Sequence, residues 1–388
     1  MSHYIDVHAL HTLPPSNINR DDTGAPKTAT FGGVIRQRVS SQAWKRAIRH
    51  DFPDHLDAGK LGIRTKRAAD RVMARVLELA PEMGEDAAKN AVADAFASAG
   101  IKLTEPKAKK GQDASSHGPE TGYLLFLSNH QIQKLAEAVV AAGGAKLAKK
   151  DVARILDADH SVDIALFGRM VAEAPDYNVD AAVQVAHAIG VHASEPEFDY
   201  FTAVDDAVAE AEETGAGMIG TVEMMSSTLY RYATVNMDGL TGNLGDAAAA
   251  VEAALAFVRG FVLSMPTGKQ NTFANRTLPD VVVVTVRDDR PVSYVNAFET
   301  PVATDQAHGR RFEAARRMAQ EAENVETAYG MTPVRSFVLA VGPLAEAVAG
   351  IGEPVGREEL LTRLRAVLED GLAPGEPEGT SAPAEVAL

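Results

Sequence analysis

Six cations, Lys27, Arg36, Arg38, Lys45, Arg46 and Arg49, stand between Thr23 and Arg49 with no acid among them. The chain around them has 388 residues and a formal charge of −15. Its first fifty residues carry seven Lys/Arg against three Asp, a local charge of +4, so the remainder carries −19. Cations that no neighbouring carboxylate neutralises suit a polyanion. In SSQAWKRAIR the residues Gln42, Lys45, Arg46 and Arg49 fall at i, i+3, i+4 and i+7, on one helical face, with Trp44, Ala47 and Ile48 opposite. Such a helix docks its apolar side on a core and presents a cationic row. A solvated surface is the commoner fate of a basic helix; here the missing acids and the acidic remainder favour a binding face. Ser40 or Ser41 can cap the helix from Gln42 by accepting from a free backbone N–H, and a helix N-terminus with hydroxyls can itself hold a phosphate.

Other groups offer chemistry with less support. Asn19-Arg20-Asp21-Asp22 holds paired carboxylates able to bind Mg²⁺ or serve as acid and base; a loop in which Asp caps turns is the better reading. His8 and His11 are three apart in a strand-like segment, which points them to opposite faces, and none of the eleven histidines stands in an HExxH pattern. With no cysteine, thiolate metal sites and disulfides are excluded, and no cofactor or metal is expected. PTGKQ at 266–270 lacks the full phosphate-loop pattern and reads as a turn, with contact to nucleic acid as the functional option. A lone methionine such as Met170, in Gly168-Arg169-Met170, is usually core.

The elements that must position these groups follow from periodicity. YIDVHALHTL (4–13) alternates as a strand with one buried face, and FGGVIRQRVS continues as an extended piece. From about 60 to 180 the pattern is helical and Ala-rich, with a polar loop EPKAKKGQDASSHGPETG and a short strand GYLLFLS. Residues 181–193 read as a helix. SEPEFDYFTAVDDAVAEAEETGAGMIG reads as a protruding hairpin arm, and TVEMMSSTLYRYATVNM, DVVVVTVRDD and SFVLAV as strands. Helices are expected at 246–264 and over EELLTRLRAVLEDGL, before a Pro/Gly/Ala-rich tail that reads as disordered. Strands at both ends with helices between give a discontinuous α+β fold. No run reaches the roughly 18–20 apolar residues of a membrane span, and MSHYIDVHAL lacks signal-peptide regions, so a cytoplasmic protein without a membrane partner is expected.

NRDD (19–22), TATFGG (28–33), RQRVSSQAWKRAIR (36–49), VDIALFGRM (162–170), AHA (186–188), DYFTAVDD (199–206), YRYATVN (230–236), the PTGKQ turn and VNAFE (295–299) occur in one order over most of residues 1–300. In that order they resemble the CasC family, the repeated RAMP-superfamily backbone subunit of the type I-E CRISPR surveillance complex, Cascade. The resemblance implies an RRM-like (ferredoxin-like) palm over 1–58 and 181–375, a helical fingers insertion over 59–180, a thumb arm over 193–224 and a flexible tail over 376–388. It implies a non-catalytic subunit that polymerises head to tail along CRISPR RNA as a helical filament, kinks the guide periodically and presents it to target DNA in antiviral defence. Implied partners are further copies of itself, the large and small subunits, the 5′-handle-binding subunit and the guide-processing endoribonuclease. Guide phosphates would be held by Arg20, Lys27, Arg38, Ser40, Gln42, Lys45, Arg46 and Arg49, with Lys269 and Gln270 beside the RNA path. Arg169 and Met170 match the finger wedge, and Phe201, Thr202 and Val204 the thumb. Lys107, Lys109 and Lys110 would reach target DNA. Val34 and Ile35 stand where the family often carries a further basic residue. Relatives in the superfamily cleave RNA, and Asp21 and Asp22 keep a metal-dependent endoribonuclease as the alternative.

Overall fold

The computed structural model describes residues 3–105, 118–203, 218–303 and 308–372. The N-terminal part comprises β1 (Tyr4–Ser16), β2 (Thr28–Phe31), β3 (Val34–Val39) and α1 (Ser41–Asp51). A helical stretch follows: β4 (Gly62–Thr65), α2 (Ala68–Leu79), α3 (Glu85–Ser98), β5 (Leu103–Thr104), β6 (Glu120–Thr121), β7 (Leu125–Ser128), α4 (Asn129–Ala141), α5 (Lys149–Leu156) and α6 (Val162–Phe167). The chain then returns through β8 (Val183–Val185), β9 (Ala188–Gly190), β10 (Glu197–Ala203), β11 (Met218–Asn236), α7 (Met237–Leu244), α8 (Ala247–Leu263) and α9 (Gln270–Phe273). It ends with β12 (Val281–Arg287), α10 (Gly309–Tyr329), β13 (Arg335–Ala340), α11 (Leu344–Ala347), β14 (Glu353–Pro354) and α12 (Arg357–Leu372).

The fold is α+β, built on one large mixed sheet of order β14-β13-β12-β1-β11-β9-β3-β2, with β8 and β10 also paired to β11. All its pairings are antiparallel except β13 with β14. One face of the sheet carries α8 and α12 in a core that includes Ile5, Val7, Phe257, Phe261 and Leu364. The other carries α10 over Leu10, Tyr230, Val283 and Phe298. The helices between residues 68 and 156 close on a separate core around Val72, Val92, Phe96 and Leu135.

Three expectations change. β1 buries both faces, because α10 and the 295–298 turn cover the side that alternation assigned to solvent. Asp6 on that side pairs with Arg287 at 3.3 Å and accepts from Tyr232 Oη and the Val292 amide. Residues 181–193 are not a helix. Val183/Gln184/Val185 alternate buried and exposed, and the long edge of β11 supplies the ladder that overrides the helical preference of their alanines. The 21-residue α10 escaped prediction because its buried stripe is only Ala314, Ala315, Met318 and Ala322, between charged residues such as Glu313, which ties Arg316 and Arg317.

Burial also holds His8 and His11 neutral, each pushed down to about 3, with Arg287 and Arg231 adding to the effect. Between pH 6.5 and about 3 the unfolded chain takes up protons that these folded side chains refuse. Stability is therefore expected to fall with pH through that window, by up to about 1.4 kcal/mol per pH unit for each histidine. Urea unfolding at pH 7 and pH 5 checks this, and His11→Gln should shrink the difference.

Candidate nucleic-acid interface

The basic helix α1 is positioned from beneath. Trp44, Ala47 and Ile48 are buried, as the spacing predicts. The guanidinium of Arg231, wholly buried on β11, lies 3.6 Å under the Trp44 ring and 4.3 Å from Phe261. Burial brings its pKa down to about 9, so it remains a cation at neutral pH and holds Trp44 by cation–π attraction. Ser40 is the N-cap, accepting from the Ala43 amide at 3.3 Å, a contact worth about 1 kcal/mol. Its O–H remains a donor. Asn19 fixes the Ser40 amide at 2.8 Å, and His187 accepts from Ser41 N at 3.2 Å and lies 3.4 Å from Arg38.

Two clefts flank this helix and share Gln42, Arg46 and His50. The first, of about 1010 Å³, adds Lys45, Arg49, Arg64, Ile63, Tyr123, Leu124 and Met170 to the lining. The second, of about 1100 Å³, adds Asn19, Arg20, Ser40, Lys269, Gln270 and Arg276, with Asp51 and Asp54 also on its wall. Gly268 brings the 266–270 turn there: a Cβ on it would lie 2.4 Å from the Ile18 carbonyl oxygen, so only glycine lets the turn rest on that backbone. Lys269 follows at a φ of 49°. The Gln270 amide, oriented to satisfy its hydrogen bonds, accepts from Arg276.

The six cations between Thr23 and Arg49 do not share one fate. Arg36 is wholly buried and donates to the carbonyls of Phe31, Gly190, Phe298 and Glu299 at 3.0–3.1 Å. Arg46 is exposed and makes no ion pair among the described residues. Lys45 is half-buried over the Phe167 ring at 5.9 Å, and burial lowers its pKa. Arg49 lies 4.4 Å over Phe126 and 3.6 Å from Asp163. Lys27 and Arg38 are half-buried beside His187, whose pKa is lowered by burial and then by these two charges. Exposed Ile35 stands on β3, close to the β2–β3 turn.

Met170 is 78% exposed and no part of the core, the usual place of a lone methionine. Gly168 ends α6 at a φ of 77°, in a place where a Cβ would meet the Val179 carbonyl at 2.8 Å. Arg169 then pairs with Val179 through two backbone bonds of 2.9 Å. The Arg169 side chain, 5% exposed, turns inward to Tyr177 O, Gln131 Oε1 and Leu156 O. It is therefore a brace for the Met170 turn, while it also lines the first cleft. Arg169→Gln is expected to lower the melting temperature clearly, whereas Met170→Ala should leave it unchanged, an exposed truncation costing no more than about 0.5 kcal/mol. Differential scanning fluorimetry of the two variants decides this.

The hairpin β10–β11 pairs Phe201 with Gly220 and Thr202 with Ile219. Phe198, Tyr200 and Ile219, all exposed, share one face of it with Thr202. Val204, Lys107, Lys109, Lys110 and the tail lie outside the described residues. Asp21 accepts from the Thr23 amide and hydroxyl and from the Ala25 amide, which keeps it ionised and part of a turn; Asp22 is exposed nearby. No group of three or more His, Cys, Asp or Glu among the described residues could hold a metal ion. No helix among them is long and apolar enough to cross a membrane. Arg64 and Arg276 join the clefts without having been singled out from the sequence, and His187, seen there only within the AHA motif, supports Arg38 and Ser41. Arg64 sits alone in a strand pattern, and His187 lay in a segment taken for a helix.

An α+β protein with cation-lined clefts and an exposed apolar side chain in one of them belongs to the class that can hold a single-stranded polyanion. The comparisons make this particular: residues 5–361 match the family of CT1975-like proteins, and the chain belongs to that family. It is similar to a solved chain of a "CRISPR RNA-guided surveillance complex, pre-nicking", at 36% identity and a TM-score of 0.82 over 94% of this chain and 100% of that one. A second solved chain, of a "CRISPR RNA-guided surveillance complex", is 32% identical with a TM-score of 0.72 over 94% and 99%. No match was found among curated proteins.

Proposed function

We propose that the chain is a non-catalytic CRISPR RNA-binding subunit of a Cascade-type surveillance complex, of the CasC kind in type I-E systems. The observation that carries this is the exposed Met170 in the same cleft as Lys45, Arg46 and Arg64. Cations hold phosphates without reading sequence, while an exposed thioether can sit against any base. A guide whose sequence changes needs both. The solved complexes to which the chain is similar support the reading.

In this reading the large sheet with α8, α10 and α12 is an RRM-like palm (1–58 and 181–375). The helical stretch over 59–180 forms the fingers, and the β10–β11 hairpin lies within the thumb (193–224). Arg20, Lys27, Arg38, Ser40, Gln42, Lys45, Arg46, Lys269 and Gln270 hold the guide backbone. Met170 displaces a base from below, and Phe201 and Thr202 close from above. Copies polymerise head to tail by a heterologous interface. The other Cascade subunits bind the ends and the flank of this filament, and target DNA pairs with the exposed bases.

Co-expression with a CRISPR array and the other subunits, followed by sequencing of co-purified RNA, tests the proposal. Guide RNA of array sequence is the expected yield. RNA-free protein, or Mg²⁺-dependent cleavage of bound RNA abolished by Asp22→Ala, would overturn it, the second in favour of an endoribonuclease.

A further inference from the structure

Arg49 and Arg64 line one cleft but have different surroundings. Arg49 faces the Asp163 carboxylate, which is 3% exposed and also accepts from Gly62 N at 3.0 Å and Ser161 Oγ at 2.6 Å. That one carboxylate joins α1, the start of β4 and the helix α6 that leads into the Met170 turn. A phosphate approaching Arg49 would have to compete with a buried anion already in place, and would be repelled by it. Arg64, by contrast, is exposed and makes no ion pair among the described residues. It stands directly opposite Phe126 in the β4–β7 ladder, on the same face of the ribbon as the ring that Arg49 covers. The two guanidinium charges are close enough that Arg64 helps to lower the pKa of Arg49. An anion bound at Arg64 would relieve that repulsion.

We propose that Arg64 is a phosphate-contacting cation of the cleft that Met170 also lines, and that Arg49 is a positioning residue that, through Asp163, sets the spacing between α1 and the Met170 turn. This rests on the reading that the cleft holds single-stranded RNA.

The test is the salt dependence of binding to a labelled single-stranded RNA, alongside 2-aminopurine fluorescence of a substituted RNA at saturating protein. Arg64→Gln is expected to lower the slope of log K against log salt by about 0.7, one phosphate contact on a single strand, at an unchanged melting temperature. Arg49→Gln should lower the melting temperature and lose the unstacking signal at Met170, yet keep the parental slope. Complete loss of fold in this variant is the extreme of that expectation. A parental slope in Arg64→Gln, or a slope reduced by Arg49→Gln as by a lost contact, would overturn the assignment alone. A parent protein that binds no single-stranded RNA would overturn the underlying reading and this inference with it.

Discussion

Replacing Arg20, Lys45 and Arg46 together by glutamine is expected to weaken binding of single-stranded RNA roughly 1,000-fold, and to lower the salt slope by about 2. Charge-assisted bonds to phosphate contribute about 1.5 kcal/mol each at the low end, so three amount to about 4.5 kcal/mol, a little over a thousandfold. The three side chains span both clefts, Arg20 on one side of α1, Lys45 on the other and Arg46 on both. Arg20 and Arg46 are exposed, and glutamine keeps part of the Lys45 stem over Phe167. The fold should therefore survive, with the circular dichroism and melting curve of the parent. Isothermal titration at several salt concentrations separates the outcomes. Parental affinity with a parental slope would mean that the row faces solvent and nothing more.

Arg36→Met is expected to have the opposite signature. Arg36 ties the β2–β3 hairpin to Gly190 of β9 and to Phe298 and Glu299 across the sheet. Its removal leaves four buried or half-buried carbonyls short of a donor, and methionine cannot supply one. A loss of about 3–5 kcal/mol follows, read in urea unfolding. Folded protein should keep the parental salt slope, because the guanidinium has no exposed surface to offer a phosphate. Arg36 and Arg38, two positions apart on one strand, share a face and differ by what covers it: Phe298 and Glu299 close over Arg36, whereas Arg38 lies beside exposed His187.

That division marks where sequence reading stops. The faces of α1 followed from spacing alone, since a period of 3.6 fixes which side chains are buried once the helix docks. The separate fates of Arg36, Arg46 and Arg49 did not, because each depends on a partner far along the chain: Phe298 and Glu299 for Arg36, Asp163 and Phe126 for Arg49. The strands 281–287 and 335–340 were legible in their β-branched runs. The strands at 183–190 were not, since their alanines favour a helix until β11 offers an edge. The helix 309–329 was hidden for the converse reason, a stripe of alanines too weak to mark a period. Met170 shows the same limit in one side chain. Its type argues for a core, and only the Gly168 turn and the inward Arg169 brace bring it to the surface.

The most direct measurement is the affinity of the purified protein for two single-stranded RNAs of unrelated sequence and equal length, across a salt series. The account predicts equal affinities and a shared, steep linear dependence of log K on log salt, because phosphates are held and bases are not read. No binding, or a strong preference for one sequence with little salt dependence, would contradict it.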